Sequence, residues 1–252
     1  MAKPILVANW KNHPASLLEA QKLLKDLGKL RLLYKKFALF IAPPLPYMES
    51  VANRAKGFAH LASQDMFIEK GTYTGETTLE VLKSFGVKLA ILGHSERRAL
   101  GETSQDVALK VKAALKAGIT PLICIGEKTR DADGEHFEYI RNELKASLGD
   151  ISKQSAGKII IAYEPSWAIG KTSGDALPPA ELAQSVIFLK KVLTDLYGRS
   201  TADSIPILYG GSVEPDNAGE LLRESSARGF LVGHASINHN SFEQIARSII
   251  EK

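Results

Sequence analysis

Four polar side chains stand where apolar runs of the sequence end, and together they could move a proton between carbon atoms. Asn9 and Lys11 lie in "ANWK", His94 lies in "LGHSERR" and Glu164 lies in "AYEPSW". A carboxylate can take a proton from carbon, and a neutral imidazole can donate a hydrogen bond to a carbonyl oxygen. An amide beside an ammonium group suits an anionic ligand. These residue types predict proton abstraction next to a carbonyl group.

The neighbours of His94 and Glu164 favour these roles. A serine and a glutamate after His94 predict a helix start, and the amino terminus of a helix favours the neutral form of an imidazole. Tyr163 and Trp167 flank Glu164 and could exclude water from its carboxylate. Taken singly, each residue also has an ordinary explanation: a surface lysine, a histidine that caps a turn, and a glutamate in a salt bridge.

Two glycine-containing turns predict a phosphate site. "YGGSV" (Tyr209–Val213) and "VGHAS" (Val232–Ser236) each follow an apolar run. Glycines free backbone N–H groups to point at a phosphate, and Ser212 could add a hydroxyl. Tight turns alone would also explain these glycines. With the four side chains above, the turns predict a small phosphorylated sugar as the substrate.

Eight short apolar runs alternate with amphipathic segments, which predicts parallel strands joined by helices. We predict strands at Ile5–Ala8, Ala38–Ile41, His60–Ser63, Lys88–Leu92, Pro121–Ile125, Ile159–Ala162, Ile207–Tyr209 and Phe230–Val232. We predict helices at Ser16–Leu30, Tyr47–Lys56, Thr78–Phe85, Gln105–Ala117, His136–Leu148, Pro179–Tyr197, Asp216–Leu222 and Phe242–Ile250. Eight such pairs in about 250 residues have the size of a closed (β/α)8 barrel, whose functional groups follow the strand carboxyl ends. A doubly wound sheet that binds a dinucleotide would favour a glycine-rich first turn, but that turn reads "ANWKNHP".

Composition and charge argue against several other classes. The 252 residues contain no Pro/Gly/Ser-rich linker, so we predict one barrel domain over residues 1–252. We expect a cytoplasmic protein without membrane contacts, because no apolar run approaches about 18 residues and no leader pattern opens the chain. The net charge of +4 is scattered among acids, which predicts a solvated surface and no nucleic-acid partner. The single cysteine, Cys124, is interpreted as an apolar filler. No P-loop, metal-ligand spacing or serine-nucleophile motif occurs, so we expect no cofactor and no metal.

Six motifs, in order, resemble the triosephosphate isomerase family along essentially the whole chain. They are "NWK" (Asn9–Lys11), "TYTGE" (Thr72–Glu76), "LGHSERR" (Leu92–Arg98), "CIGE" (Cys124–Glu127), "AYEPSWAIG" (Ala162–Gly170) and "LYGGSV" (Leu208–Val213). The resemblance implies a TIM barrel that interconverts dihydroxyacetone phosphate and D-glyceraldehyde 3-phosphate through an enediolate. Such an enzyme serves glycolysis and gluconeogenesis without a cofactor.

The resemblance also implies a role for each site residue. A glutamate base with a neutral histidine electrophile is the family's established assignment, and these residues correspond by position to Glu164 and His94. Lys11 and Asn9 would stabilise the enediolate, and Glu96 would contact Lys11. The implied phosphate contacts are Gly170, Ser212, Gly233 and His234.

Two loops complete what the resemblance implies. A lid would exclude water on closing and would comprise Trp167, Ala168, Ile169, Gly170 and Lys171. A dimer loop would insert into the partner subunit of a homodimer and would comprise Tyr73, Thr74, Gly75 and Glu76.

Two departures from the family pattern lie near the lid and the phosphate site. The chain has Lys171-Thr172-Ser173 where the family usually has Thr-Gly-Lys, and Gly233-His234 where it usually has Gly-Gly. We expect the His234 side chain to turn outward, because the phosphate contact needs only the backbone N–H. Substrate length would be read at these places, so isomerisation of a four-carbon keto-sugar phosphate (a tetrulose phosphate) stays an alternative. A non-catalytic phosphosugar-binding relative is a more remote one, since it predicts a damaged base or electrophile.

Overall fold

The fold is a closed barrel of eight parallel strands. A computed structural model describes residues 3–68, 71–131, 133–168 and 176–250. The strands pair in sequence order, and β8 returns to pair with β1. Their bounds are β1 Ile5–Asn9, β2 Ala38–Ala42, β3 His60–Ser63, β4 Leu89–Leu92, β5 Thr120–Ile125, β6 Ile160–Tyr163, β7 Ile207–Tyr209 and β8 Gly229–Val232. The predicted barrel is confirmed, and every predicted strand end lies within one residue of the observed one.

Successive residues of each strand point alternately into the barrel and out toward the helices. In β1, Val7 packs in the barrel interior with Leu89 and Leu122. Leu6 and Ala8 belong instead to the larger core beneath the helices. Because both faces of the strands are buried, the strands read as continuous apolar runs. The same alternation points the last residue of β1, an asparagine, into the mouth of the barrel.

Twelve α-helices accompany the strands in the described residues. Their bounds are α1 Leu17–Lys29, α2 Arg31–Tyr34, α3 Met48–Arg54, α4 Leu79–Ser84, α5 Ser95–Ala99, α6 Ser104–Ala117, α7 Glu135–Leu148, α8 Lys153–Ala156, α9 Pro179–Tyr197, α10 Arg199–Ser204, α11 Ala218–Ser225 and α12 His239–Ile250. Single 3-10 turns cover Leu45–Tyr47, Ser166–Ala168 and His234–Ile237. The eight predicted helices correspond to α1, α3, α4, α6, α7, α9, α11 and α12. The other four are too short to show a 3.6-residue apolar period, and only the start of α5 was foreseen.

Two helices begin at other residues than the apolar period predicted. α12 was predicted to begin at Phe242 but begins at His239, because Asn238 Oδ1 accepts hydrogen bonds from two backbone N–H groups of the first turn. α11 begins two residues later than predicted, after Asn217, whose side chain makes no capping bond to the helix; its Oδ1 accepts instead from the N–H of Glu214 at 2.9 Å, in the turn before the helix. Asn238 thereby satisfies N–H groups of α12 that have no partner within the helix.

Candidate active site

The carboxyl ends of the strands surround a cleft that holds all four predicted chemical side chains. Asn9 ends β1 and Lys11 follows it, His94 follows β4, and Glu164 follows β6. The turns after β7 and β8 form the other end of the cleft. The lining residues are Asn9, Lys11, His94, Glu164, Gly210, Gly211, Ser212, Val213, Glu214, Leu231, Gly233, His234 and Ala235. The barrel therefore collects residues from distant parts of the sequence at one mouth.

Glu164 is a buried carboxylate, with only 2% of its surface exposed. Its Oε2 accepts a long hydrogen bond, 3.4 Å, from the backbone N–H of Ser95. Its Oε1 lies 3.4 Å from His94 Nε2 and forms no hydrogen bond. A buried polar atom without a partner costs about 1–3 kcal/mol. This oxygen is therefore placed to accept a proton from a group that enters the cleft.

The aromatic residues beside Glu164 contact a different carboxylate. The Tyr163 hydroxyl donates to the two oxygens of Glu127 at 3.0 and 3.1 Å, and Trp167 Nε1 donates to Glu127 Oε1 at 3.0 Å. The prediction that these rings enclose Glu164 is corrected by this arrangement. Tyr163 points toward the helices, so Glu164, one residue further, points into the barrel. Glu127 was part of a quoted motif, but no role was predicted for it.

Glycines and a thiol surround Glu164 instead. A Cβ atom on Gly210 would lie 2.8 Å from Glu164 Cγ, and one on Gly126 would lie 1.9 Å from the Glu164 carbonyl oxygen. Only glycine leaves room for Glu164 at these two positions. Burial, and then the charge of Glu164, raises the pKa of the Cys124 thiol. A thiol that stays protonated agrees with the predicted role of Cys124 as an apolar filler.

His94 itself caps the helix that follows it. Its Nδ1 accepts a hydrogen bond from the backbone N–H of Glu96 at 3.2 Å, whereas the sequence had indicated Ser95 as the cap. A backbone N–H can only donate, so Nδ1 carries no proton in this arrangement. The neutral ring then carries its proton on Nε2, the atom that faces Glu164. The expected neutral imidazole thus has a defined donor atom directed into the cleft.

Lys11 is held by contacts on three sides. Its Nζ lies 2.6 Å from Glu96 Oε1, its N–H donates to Asn9 Oδ1 at 3.1 Å, and its carbonyl accepts from Gln64 Nε2 at 2.7 Å. Its φ of 51° is a left-handed conformation, which costs a residue other than glycine about 1–3 kcal/mol. Lys11 therefore leaves the extended conformation of β1, and both Asn9 and Lys11 line the cleft. The contact with Glu96 agrees with the resemblance, and the support from Gln64 was missed.

Arg98 ties together the ends of β4 and β5 beneath His94, a role that the sequence did not reveal. Its guanidinium group donates to the carbonyls of Gly93 at 2.8 Å and Cys124 at 3.2 Å, and to Ser147 Oγ at 3.0 Å. A Cβ atom on Gly93 would lie 2.7 Å from the guanidinium, and the φ of Gly93 is +71°. Glycine is therefore required where the chain turns from β4 toward His94.

The predicted phosphate residues lie at the other end of the cleft, except Gly170, which is outside the described residues. Ser212 is buried, and its hydroxyl donates to the carbonyl of Ala168 at 2.7 Å. The hydroxyl that was expected to face a phosphate is thus directed at the start of the predicted lid. Gly233 lines the cleft beside it, and His234 is exposed at the rim. This exposure agrees with the outward orientation expected for His234.

The structure describes two of the five predicted lid residues and the whole of the predicted dimer loop. Trp167 and Ala168 lie in a 3-10 turn. The Trp167 ring donates a hydrogen bond to Glu127, and the Ala168 carbonyl accepts one from Ser212. The remaining lid residues lie outside the described residues and are Ile169, Gly170 and Lys171. The dimer loop, Tyr73–Glu76, is exposed on the single chain. The Tyr73 ring packs 4.7 Å, between centroids, from a phenylalanine ring at the base of the loop.

The described ranges contain neither a metal-ligand cluster nor a membrane-spanning helix. No group of three or more His, Cys, Asp or Glu side chains in these ranges is placed to hold a metal ion. No helix in these ranges combines the length and the apolar character needed to cross a bilayer. The expectation that the protein needs no metal and no cofactor stays a prediction.

The chain is similar over nearly its whole length to one family of known proteins. The sequence model of the family described as triosephosphate isomerase matches residues 4–249. The chain is 38% identical to the triosephosphate isomerase of Thermoanaerobacter pseudethanolicus, over 97% of this chain and 99% of the relative. It is 39% identical to that of Trichlorobacter lovleyi and 35% identical to that of Fusobacterium nucleatum, in each case over 98% of this chain and 99% of the relative. The chain belongs to the triosephosphate isomerase family.

Proposed function

We propose that this protein interconverts dihydroxyacetone phosphate and D-glyceraldehyde 3-phosphate by moving one proton between adjacent carbons. One observation supports this most strongly. The unpaired Glu164 Oε1 and the Nε2 of a neutral His94 lie 3.4 Å apart in one cleft. A base and a hydrogen-bond donor at that separation can act on a carbon and on the oxygen bonded to the neighbouring carbon.

In the proposed reaction Glu164 takes a proton from the hydroxymethyl carbon of the ketose. The electron pair of the C–H bond forms a carbon–carbon double bond, and negative charge develops on the former carbonyl oxygen. His94 Nε2–H donates a hydrogen bond to that oxygen and then relays a proton between the two oxygens of the enediolate. Glu164 returns its proton to the neighbouring carbon, which yields the aldehyde. No electron acceptor is needed, because the reaction is internally balanced.

Lys11 and Asn9 are proposed to stabilise the enediolate. The ammonium group of Lys11 carries the positive charge that the developing oxyanion needs, and a charge placed in advance costs no reorganisation during the reaction. Its backbone is fixed by Asn9 Oδ1 and by Gln64. Glu96 holds the ammonium group at 2.6 Å until substrate arrives. This fixed geometry supports a direct role for Lys11 in the reaction.

The phosphate group is proposed to bind at the turns after β7 and β8, on the N–H groups of Ser212, Gly233 and His234. Gly170 would add a contact from the lid, whose five proposed residues begin at Trp167. Closure of the lid would exclude water, which strengthens electrostatic interactions in the cleft and protects the enediolate from losing phosphate. The hydrogen bond from Ser212 to Ala168 links this phosphate end to the lid.

We further propose that the protein is a cytoplasmic enzyme of glycolysis and forms a homodimer. Each subunit is one catalytic domain over residues 1–252, and no nucleic-acid partner is needed. The exposed loop Tyr73–Glu76 supports the dimer, because an exposed aromatic residue at the start of a projecting loop is typical of an interface. Sedimentation equilibrium of the intact chain tests this proposal. A mass of one chain at micromolar concentration would count against the dimer.

The reaction is tested by Glu164→Gln, which keeps the shape of the side chain but cannot accept the proton. We expect turnover of either triose phosphate, measured in a coupled assay, to fall by at least about a hundredfold. The thermal unfolding midpoint should change little. Glu220→Gln, on the exposed face of α11, is the matched control and should keep full activity. If Glu164→Gln keeps at least about a third of the parent's turnover, Glu164 is not the base. The turnover expected of this variant is far lower, about 1% of the parent's.

A further inference from the structure

Helix α7 directs a stripe of polar side chains at the outside of the barrel. Tyr139, Glu143 and Ser147 follow one another at four-residue spacing, so they lie on one face of this helix. Glu143 and Ser147 are buried, and the Tyr139 hydroxyl donates to Glu143 Oε1 at 3.2 Å. A buried carboxylate is costly unless it is paired or hydrogen-bonded, so the other contacts of Glu143 indicate what it does.

The first of these contacts holds the end of β5 behind Glu164. Glu143 Oε2 accepts a hydrogen bond from the backbone N–H of Gly126 at 2.9 Å. The backbone of Gly126 touches that of Glu164, since a Cβ atom on Gly126 would lie 1.9 Å from the Glu164 carbonyl oxygen. The carbonyls of the two residues that flank Gly126 accept from the N–H groups of Glu164 and Ser166, at 2.8 and 2.9 Å. A shift of Gly126 would therefore move the backbone of Glu164 with it.

The second contact supports the turn that carries His94. Glu143 Oε1 lies 3.5 Å from Nε of Arg98, and both side chains are largely buried. Among the described residues, Glu143 is the acid in ion-pair contact with Arg98. Arg98 in turn donates to the carbonyl of Gly93, the residue before His94, at 2.8 Å. A buried cation without a counterion is strongly destabilising, so Glu143 helps to keep Arg98 in place.

The space around these groups makes the hydrogen bonds important. Gly126, Glu143 and Glu164 line one cavity of about 350 Å³. Side chains do not pack tightly against Gly126 on this side, so the bond from its N–H carries more of the positioning. Burial raises the pKa of Glu143, and the charge of Glu164 raises it further, although Arg98 and Gly126 favour the ionised form. The carboxylate is thus retained at an energetic cost.

We propose that Glu143 is a positioning residue for the proton transfer and fixes the distance between Glu164 and His94. Through Gly126 it holds the chain beside the proposed base, and through Arg98 it holds the turn of the proposed hydrogen-bond donor. Glu143 is absent from the described residues that line the cleft, so it acts through these neighbours and not on the substrate. The inference rests on the proposed function, because that function gives Glu164 and His94 their roles.

The test compares three substitutions of Glu143 in the full chain, with a coupled assay of each triose phosphate. Glu143→Ala removes both contacts, and we expect kcat to fall about ten- to a hundredfold, since a displacement of about 1 Å costs about a hundredfold. KM should stay within about twofold of the parent value, because the phosphate end of the cleft is not altered. Glu143→Gln retains an oxygen that can accept from Gly126, so it should keep kcat within about threefold.

Glu143→Asp keeps the charge but is one methylene too short to reach Gly126. It should lower kcat about fivefold and decides the question if Glu143→Ala does not fold. Calorimetric titration with a phosphorylated hydroxamate, which mimics the enediolate, counts the competent sites in each variant. We expect one site per chain in every folded variant. The lost turnover is then a property of intact sites.

Glu138→Ala is the matched control, since Glu138 lies on the exposed face of the same helix and pairs with Arg141 at 3.2 Å. It should match the parent in kcat, KM and site count. A folded Glu143→Ala or Glu143→Asp with the parent's kcat would overturn the inference. So would a Glu143→Gln variant as slow as Glu143→Ala, or a loss of turnover that equals the loss of sites.

A crystal structure of the same variant separates this inference from the proposed function. The distance from Glu164 Oε1 to His94 Nε2 is 3.4 Å in the parent, and we expect it to change by at least about 0.5 Å in Glu143→Ala or Glu143→Asp. A parent without isomerase activity would overturn the proposed function, and this distance would still decide the inference. An active parent whose distance is unchanged in the variant would overturn the inference alone.

Discussion

The substitution Gly210→Ala should impair the reaction by moving Glu164, the proposed base, without removing any chemical group. The added Cβ would lie 2.8 Å from Glu164 Cγ and 3.1 Å from Oε1, and carbon atoms in ordinary contact are separated by at least 3.4 Å. The φ of Gly210 is not positive, so the backbone itself can accept alanine. Relief of the contact therefore requires the Glu164 side chain to shift by several tenths of an ångström.

A displacement of that size has a predictable cost. Moving a catalytic group by about 1 Å costs about a hundredfold in rate, so we expect kcat to fall about ten- to a hundredfold in Gly210→Ala. Overpacking a buried site costs about 1–3 kcal/mol of stability, which leaves a domain of this size folded at 25 °C. The parent and variant are compared in a coupled assay with each triose phosphate, and by thermal unfolding.

Gly28→Ala is a matched control for this experiment. The added Cβ would lie 3.9 Å from Phe58 Cε1, an ordinary contact, and Gly28 lies within α1, far from the cleft. Replacing a helical glycine by alanine should stabilise the protein by about 0.5–1 kcal/mol and leave kcat unchanged. Full activity of folded Gly210→Ala would refute the reasoning that Glu164 is positioned by the space that Gly210 leaves.

Two other predictions address the lid and the pH dependence of stability. Ser212→Ala removes the hydrogen bond to Ala168 and should lower kcat/KM about fivefold, because such a bond contributes about 1 kcal/mol. Unchanged steady-state kinetics would show that this bond does not affect the reaction. Desolvation raises the pKa of Asp131, but hydrogen bonds from Glu135 and His136 outweigh it and lower the pKa from 3.8 to about 2. Its stabilisation is therefore complete above pH 3.8 and is lost as the pH falls toward 2. Asp131→Asn should lower the thermal midpoint at pH 7 and converge with the parent near pH 2, whereas a constant difference would contradict this origin.

The sequence predicted the barrel well because the signal for it is repeated eight times. Each strand is apolar on both faces, so its position is visible without knowledge of its neighbours. The placement of Asn9, His94 and Glu164 in one cleft followed from the rule that functional groups lie after the strand ends of a barrel. Short helices such as α8 were missed, because four residues cannot show a helical period.

The surroundings of the site could not be predicted, because they depend on contacts between strands. Gln64 and Arg98 act through hydrogen bonds to backbone carbonyls of other strand ends, and those carbonyls become neighbours only when the barrel closes. Glu127 binds Tyr163 and Trp167 across adjacent strands for the same reason. The alternation of side chains along β6 did carry one usable signal, since it directs Tyr163 and the following glutamate to opposite faces.

Two energetically unfavourable features lie in the cleft, and their location supports the functional conclusion independently of family membership. The unpaired Glu164 Oε1 and the positive φ of Lys11 each cost about 1–3 kcal/mol. Both lie in one cleft, where Gln64, Arg98 and Glu127 hold the chain with satisfied hydrogen bonds. A barrel selected only for stability would pair the carboxylate and place glycine or asparagine at the strained position. The retained costs fall on a carboxylate and an ammonium group that face the same space, and the proposed proton transfer at carbon needs both there.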